Sequence, residues 1–276
     1  MAKQPKPWVK YVIYALLFLY AAVTMVPFLW ALSSSFKTLE EIVAGGINFI
    51  PKQFTLQNYY DIFVREPLFI RWMSNSALIA VVATVCNILF NSMAGYALAR
   101  IDFIGNKAMF FIILGVQMIP GQLTIVPAYL IMKELGWLNS YAALTVPMMA
   151  NATFTFMMRQ FFISFPKELE EASQLDGLSR FGIFFRIALP LAVPALAAQM
   201  IFVFMGAWNE FLKPLMFVSD KSMFTLTLGL NTFKGQYISY WNYIMAASMV
   251  FTLPALLIYA FFNRFFIKGI TFTGSK

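Results

Sequence analysis

Very few side chains in this 276-residue chain could carry enzyme chemistry. The sequence contains no histidine, and Cys86 is its single cysteine. Ser–His and Cys–His catalysis, imidazole metal ligation and intramolecular disulfides are therefore excluded together. Cys86 lies inside an apolar run, where low-dielectric surroundings disfavour the reactive thiolate, so we interpret it as a packing residue. We predict no catalytic residues and no metal ligands in this chain.

One polar segment, residues 164–187, holds the densest group of acidic residues: Glu168, Glu170, Glu171 and Asp176. Pro166 suits the first position of a helix, and the acidic residues complement the positive end of that helix's dipole. Gly177 suits the left-handed residue that ends such a helix. Ser179 can cap a second short helix. The segment therefore predicts two short helices that meet at a glycine corner.

The elements around this segment belong in a membrane. Of all residues 61% are hydrophobic and only 12% are charged, whereas soluble domains carry about 25% charged residues. So few charges cannot solvate a globular surface of this size. The net charge of +8 is concentrated at the ends of apolar runs, which indicates membrane topology rather than a nucleic-acid-binding surface.

Six charge-free stretches each exceed the roughly 20 residues that cross a bilayer as a helix. We predict an all-α integral membrane protein that forms a single transmembrane domain with six spans. The predicted spans are about 11–36, 72–99, 108–132, 135–158, 187–212 and 240–263. Turn residues near Gly136 predict a tight hairpin between the third and fourth spans, with one long re-entrant segment as the alternative.

The topology follows from the basic residues. Of the 20 Lys and Arg residues, twelve lie in segments on the side of the amino terminus and eight on the other side. This bias predicts that both termini are cytoplasmic. The apolar run after Lys10 is too long for the hydrophobic region of a cleaved signal peptide. We therefore expect a retained signal anchor.

Four polar residues in the predicted spans are candidates for lining a transport pathway: Asn87, Asn91, Asn209 and Glu210. An acid within a membrane is a functional candidate, but Glu210 could instead pair with Lys213 at the outer interface. Asn209 could bind a solute hydroxyl or bridge two helices. For Asn87 and Asn91, which lie one helical turn apart, interhelical hydrogen bonding favours the structural alternative.

The acidic segment has two physical interpretations. A short amphipathic helix between two spans can lie at the membrane interface without any partner. Anionic lipid repels the acidic face of this helix, so docking into a groove of another protein is more consistent.

The same segment also resembles a known motif, the EAA loop by which the membrane subunits of binding-protein-dependent ABC importers dock into ATP-binding subunits. The matching residues are Glu171-Ala172-Ser173-x-x-Asp176-Gly177, then Phe181 and Ile187-Ala188-Leu189-Pro190-x-x-x-Pro194. Ser173 stands where the motif has alanine, a small-for-small change. The similarity to the maltose-type carbohydrate permeases covers essentially the whole chain and is closest to their smaller, six-span subunit. It includes Pro27-Phe28-Leu29-Trp30, Ser34-Ser35-Phe36-Lys37 and Trp208-Asn209-Glu210-Phe211.

The resemblance implies a type I ABC importer fold in a bacterial or archaeal cytoplasmic membrane. It implies three protein partners besides the lipid bilayer: a second permease subunit, a dimer of ATP-binding subunits and an extracytoplasmic solute-binding protein. Residues 219–240 would reach into the binding protein, and residues 268–276 would contact the ATPase. The residues implied to couple ATP hydrolysis to transport are Glu168, Glu171, Ala172, Ser173, Asp176 and Gly177.

ATP is expected on another polypeptide. No glycine in this chain is followed by lysine, so a Gly-x-x-x-x-Gly-Lys phosphate loop is absent. We expect no cofactor on this chain, with ATP and Mg²⁺ on the partner ATPase. The expected function is sugar import by a transport subunit that is not itself an enzyme. The alternatives are import of a non-sugar solute, secondary transport, or membrane-embedded catalysis, and the scarcity of buried ionisable groups disfavours the last two.

Overall fold

The computed structural model describes residues 7–46, 48–235 and 239–273, with side chains described up to residue 262. Apart from an isolated bridge between Lys234 and Ser239, the described regular structure is helical. The α-helices are α1 (Pro7–Ser34), α2 (Leu39–Val43), α3 (Gln57–Val64), α4 (Phe69–Arg100), α5 (Asn106–Gln117), α6 (Ile125–Glu134), α7 (Tyr141–Thr145), α8 (Ala152–Ile163), α9 (Lys167–Leu175), α10 (Arg180–Ile183), α11 (Leu189–Leu191), α12 (Val193–Trp208), α13 (Leu212–Phe217), α14 (Leu226–Leu230) and α15 (Trp241–Thr273).

Three continuous helices are long and apolar enough to cross a membrane: Trp8–Ser34, Phe69–Arg100 and Trp241–Phe262. Two further pairs of helices reach that length only together, across a sharp bend. The described residues therefore offer three crossing helices, or five if each bent pair is one span. The six-span count stays a prediction.

The predicted span 108–132 is broken in the middle. The axis of α5 and that of the following segment, Gly121–Glu134, differ by 94°. Pro120 lies at the break with a non-helical ψ of 128°. Because proline has no amide hydrogen and disfavours helical backbone in the residue before it, α5 cannot continue through this position.

A second bend of 78° separates Arg180–Leu191 from Val193–Trp208, within the predicted span 187–212. Pro194 lies at the start of α12 and cannot donate to the carbonyl one turn earlier. A π-helix, Phe184–Ala188, precedes the bend. Insertion of this wider turn and loss of one backbone donor together explain why the chain turns here.

The predicted span 135–158 is not one continuous helix in the structure. Gly136 and Asn139 have φ of 67° and 57°, so the predicted turn occupies the start of this stretch. After the short helix α7, Pro147 lies in a 3₁₀ turn, and Asn151 caps the start of α8. Apolar composition alone did not reveal this interruption, because every residue of the stretch is uncharged.

The described residues fall into two compact units. Unit 1 consists of the chain up to Phe69 together with Leu230–Thr252, and unit 2 consists of Ile70–Gly229 together with the residues from Leu253 onward.

In unit 1, polar side chains attach α3 to its neighbours. Buried Asn58 donates to the carbonyl oxygens of Ser35 and Lys37, both at 2.8 Å, and accepts from Asn242 Nδ2 at 2.7 Å. These bonds join α3 to the chain that follows α1 and to the first turn of α15.

Asp61 provides the charged contact of the same helix. Its buried carboxylate accepts from the Tyr243 hydroxyl at 2.7 Å and from Gln57 Nε2 at 2.8 Å, and it lies 3.0 Å from Arg65 Nε. Burial by itself raises the pKa of this carboxyl, but the hydrogen bonds from Tyr243 and Gln57 and the charge of Arg65 outweigh it, so the pKa is lowered.

In unit 2, an apolar cluster packs α4 against α8 and the segment that leads into α12. Its buried members are Tyr96, Met158, Phe162, Ile183, Phe184, Ala188 and Ala192. Gly95 permits the close crossing of α4 and α8, since a Cβ there would lie 2.7 Å from the Cβ of Met158. This cluster lies directly beneath the acidic segment and fixes where that segment emerges.

Asp61→Asn tests the contribution of the ionised carboxylate. Because the folded pKa is lowered, the stabilisation is present above the unfolded pKa of about 3.9 and is lost as the pH falls through the folded value. We expect wild type to exceed the variant by about 2 kcal/mol in free energy of unfolding at neutral pH. The difference should shrink steadily below pH ~4. A difference that does not change with pH, measured by unfolding in mixed micelles, would contradict this assignment.

Candidate functional site

The acidic segment forms the two predicted short helices, α9 and α10, with a glycine between them. Pro166 is the N-cap residue of α9 and not its first helical residue, so the helix begins one residue later than predicted, at Lys167. Pro166 has the φ of −60° that its ring requires. Gly177 has φ of 82°. The amides of Gly177 and Leu178 donate to carbonyl oxygens in the last turn of α9, each at 3.0 Å. This arrangement is a Schellman motif, which ends the helix sharply at the glycine.

The second helix begins where the sequence indicated. The Ser179 hydroxyl accepts a hydrogen bond from the Gly182 amide at 3.2 Å, which caps α10. The chain therefore turns from α9 into the helices of unit 2 within a few residues.

One face of α9 is exposed, and it contains most of the residues implied to couple hydrolysis to transport. Glu168, Glu171 and Ala172 are exposed in the helix, as are Asp176 and Gly177 just beyond it. Ser173 is the exception, because it is buried and its hydroxyl donates to the Leu169 carbonyl at 2.6 Å. As positioned, Ser173 supports the helix from its inner face and does not form part of the exposed surface.

Sequence reasoning missed the residue that anchors this helix, Glu170. Its side chain is 10% exposed, and its carboxylate lies 3.2 Å from Arg100 Nε and 3.8 Å from Arg180 Nη1. Three acidic residues within four positions look alike in the sequence. Only the packing of α9 on α4 distinguishes the buried one.

Asn87 and Asn91 belong to a buried polar network that links helices of unit 2. Asn91 Oδ1 accepts from the Asn151 amide at 2.9 Å and from the Thr155 hydroxyl at 2.7 Å. Asn87 donates to the Met148 carbonyl at 2.8 Å. Both asparagines are 1% exposed, so their geometry fits the structural alternative. Their role in a pathway stays a prediction.

A third residue of this network, Gln199, was not singled out in the sequence. It is fully buried on α12, and its Nε2 donates to the backbone and side-chain oxygens of Asn87 at 3.1 and 3.0 Å. A glutamine inside the apolar run of α12 was the available signal. The network thus joins α4, α8 and α12.

Glu210 lies where α12 ends and α13 begins. Its carboxylate accepts from the amides of Leu212 and Lys213 at 3.0 and 3.4 Å, and it lies 3.5 Å from Lys213 Nζ. The ion pair weighed from the sequence is therefore present. Asn209 is exposed and donates to the Met205 carbonyl at 2.8 Å, which caps the end of α12.

Glu210 and Lys213 also line an open pocket of about 250 Å³. The opposite wall is the break between α5 and α6, where Gln122 and Thr124 contribute polar groups. The pocket therefore lies between the α5–α6 break and the junction of α12 and α13, the kind of position at which membrane proteins expose backbone and polar side chains. In the described part of the chain, no group of His, Cys, Asp and Glu could hold a metal ion.

The loop that follows α13 is attached to the first turns of α4. Trp72 Nε1 donates to the Lys221 carbonyl at 2.8 Å, and Asn75 Nδ2 donates to the carbonyls of Ser222 and Phe224 at 2.9 Å each. Part of the stretch 219–240, which was expected to reach into a binding protein, is thus bound to unit 2 itself. The tail 268–276, expected to contact an ATPase, lies outside the residues with described side chains.

Comparison with known proteins identifies the class of protein. Residues 88–272 match the family model for "Binding-protein-dependent transport system inner membrane component". The chain belongs to this family of membrane transport components, so the predicted resemblance to importer membrane subunits is confirmed.

Individual relatives extend the match over nearly the whole chain. The arabinooligosaccharides transport system permease protein AraQ of Halalkalibacterium halodurans is 37% identical, over 93% of this chain and 92% of its own length. The inner membrane ABC transporter permease protein YcjP of Escherichia coli is 36% identical, over 95% of each chain.

A solved structure confirms the predicted fold class. A chain in the crystal structure of a bacterial ABC transporter involved in the import of the acidic polysaccharide alginate superposes with a TM-score of 0.83. The two chains are 22% identical, and the superposition covers 94% of this chain and 96% of that one.

Asn91→Leu tests the buried network. The variant removes the side-chain acceptor of the Asn151 amide and one of two acceptors of the Thr155 hydroxyl, so we expect the free energy of unfolding to fall by about 1–2 kcal/mol. Asn209→Leu removes an exposed asparagine of the same size and is the matched control, for which we expect little change. Equal destabilisation by both variants in mixed-micelle unfolding would refute the network's structural role.

Proposed function

We propose that this chain is a permease subunit of an ABC importer that takes up a sugar or oligosaccharide across a bacterial or archaeal cytoplasmic membrane. In this proposal it forms half of the translocation pathway, with both termini in the cytoplasm. Family membership establishes a transport component, and the relatives' names, which concern arabino-oligosaccharide and alginate import, support the sugar class.

The observation that carries the proposal is the exposed face of α9. Glu168, Glu171, Ala172 and Leu175 recur at the three- and four-residue spacing of one helix face, and all are exposed. Leu175 is 89% exposed although leucine gains free energy from burial. An apolar anchor beside a small residue and two acids is the pattern of a helix that docks into a groove of another protein.

The partner that we propose for α9 is an ATP-binding subunit, which is present as a dimer and binds Mg²⁺ and ATP. Closure of the dimer would displace α9 and so carry the permease between its inward- and outward-facing states. A second permease subunit would complete the pathway, and an extracytoplasmic solute-binding protein would deliver the solute, as the family description "binding-protein-dependent" supports. A non-sugar solute remains the alternative cargo.

We place the pathway-lining surface of this subunit at the pocket between the α5–α6 break and the α12–α13 junction. Glu210 offers a carboxylate and Lys213 an ammonium group to solute hydroxyls there, and Gln122 and Thr124 face them. Asn209 adjoins this pocket along the chain, whereas the buried positions of Asn87 and Asn91 give them no such access in this conformation.

Glu171→Lys tests the docking face. Charge reversal on the exposed face should uncouple the ATPase from transport, so that hydrolysis persists while uptake is lost. The readouts are ATP hydrolysis by the purified importer and growth on the oligosaccharide whose use requires this chain. Lys107→Glu reverses an exposed charge outside α9 and should leave both unchanged. Normal coupled uptake in Glu171→Lys would overturn the docking assignment.

Glu210→Gln tests the pocket. Because a partly exposed ion pair contributes only about 0–1 kcal/mol, the thermal midpoint should barely change. Uptake should nevertheless weaken through a raised half-saturation concentration of solute, since the carboxylate is proposed to accept solute hydroxyls. If uptake kinetics match wild type at equal amounts of protein, Glu210 has only the capping and pairing role seen beside Lys213.

A further inference from the structure

A buried ion pair joins α9, the helix that we propose docks into the ATP-binding subunit, to α4. Arg100 is the last residue of α4, and its side chain is 4% exposed; the Glu170 side chain of α9 is 10% exposed. Removing both charges from water costs several kcal/mol, and a buried pair of this kind persists only where the geometry and further hydrogen bonds offset that cost. Such a pair is weak evidence for added stability, so another role for it should be considered.

Arg100 supplies the further hydrogen bonds. Its Nη2 donates to the carbonyl oxygens of Phe162 and Phe165 at 2.6 and 2.5 Å. The Phe162 carbonyl lies in the last turn of α8 and also accepts from the Phe165 amide at 3.2 Å, and Phe165 lies just beyond that helix. The dipole of α8 favours a cation at this end. One guanidinium therefore contacts the end of α8 and the carboxylate of α9 while its own backbone ends α4.

This cluster is the principal buried polar attachment of α9. The helix has only two buried residues, Glu170 and Ser173, and the Ser173 hydroxyl bonds within α9 itself. Arg180 approaches the same carboxylate from α10 at 3.8 Å, but its side chain is 51% exposed and the contact is correspondingly weak. The inner contact through Arg100 is the one that links α9 to α4.

We infer that the Arg100–Glu170 pair is the rigid joint through which displacement of α9 is transmitted to α4. The inference rests on the proposed function, in which a partner ATPase displaces α9. Arginine suits the task because the Nη2 of its planar guanidinium is fixed by two carbonyls while its Nε faces the carboxylate, whereas a lysine ammonium would act as a rotatable point charge. Arg100 and Glu170 are thus positioning residues that act through α9 and not through contact with ATP or solute.

The test measures the distance between spin labels on the two helices in the importer purified with its partner subunits. Labels are placed by Gln174→Cys on α9 and Val85→Cys on α4, both exposed, with Cys86→Ser removing the native thiol. The distance is measured in two conditions, without nucleotide and with ATP plus vanadate. A rigid joint predicts one narrow distance that is the same in both states.

Glu170→Gln should abolish the single narrow distance, because α9 then moves without α4. In the same variant ATP hydrolysis should persist, since the exposed face is intact, while growth on the oligosaccharide is lost. A purely structural role would lower hydrolysis and growth together. Arg180→Gln keeps the buried pair and is the matched control, for which the narrow distance should remain.

A narrow, unchanged distance in Glu170→Gln would overturn the inference, as would a wild-type distance that shifts with ATP and vanadate. If Glu170→Gln does not accumulate, Arg100→Lys keeps both charges but loses the planar guanidinium, and it should broaden the distance equally. If the proposed function is wrong, the result is different, because no ATP-binding subunit would co-purify. The contrast between wild type and Glu170→Gln would still be measurable without nucleotide, in the chain embedded in lipid nanodiscs.

Discussion

The placement of α9 within unit 2 depends on one buried guanidinium. Arg100 ends α4, donates to the carbonyls of Phe162 and Phe165 at the end of α8 and pairs with Glu170 of α9. If this cation were absent, the buried carboxylate would lose its closest charged partner and both carbonyls would lose a donor, which is costly in a low-dielectric interior. This cluster fixes the position of α9. It thereby also fixes the exposed face for which we propose a partner.

The same constraint, that buried polar groups need partners, explains how broken helices are tolerated elsewhere. The interruption between α7 and α8 is supported by Asn91, whose side chain accepts from the Asn151 amide. Gln199 then connects α12 to this network through Asn87. Where a break is left open, as beside Glu210, the polar groups face a pocket instead. Breaks with internal partners are therefore buried and hydrogen-bonded, whereas the open one lines the pocket that we propose for the solute.

Several local features could be predicted because local sequence determines them. The proline before a group of acidic residues predicted the start of α9, and the glycine that tolerates positive φ predicted its end. Both predictions agree with the structure to within one residue. The third and fourth predicted spans were less accurate. Prolines and uncharged polar residues interrupt them, and hydropathy does not register an interruption that carries no charge.

By itself, the sequence determined that this is a helical membrane transport component, and it located the segment that resembles a coupling loop. Composition and the long apolar runs indicate the helical membrane class, and the transport role is what the resemblance of the acidic segment to a known motif implies. All of these signals are local along the chain. The tertiary structure decided which of three neighbouring glutamates is buried, and that Ser173 faces inward whereas Glu171 faces outward. Glu170 pairs with Arg100, seventy positions earlier in the chain, and only the packing of α4, α8 and α9 brings those two charges together.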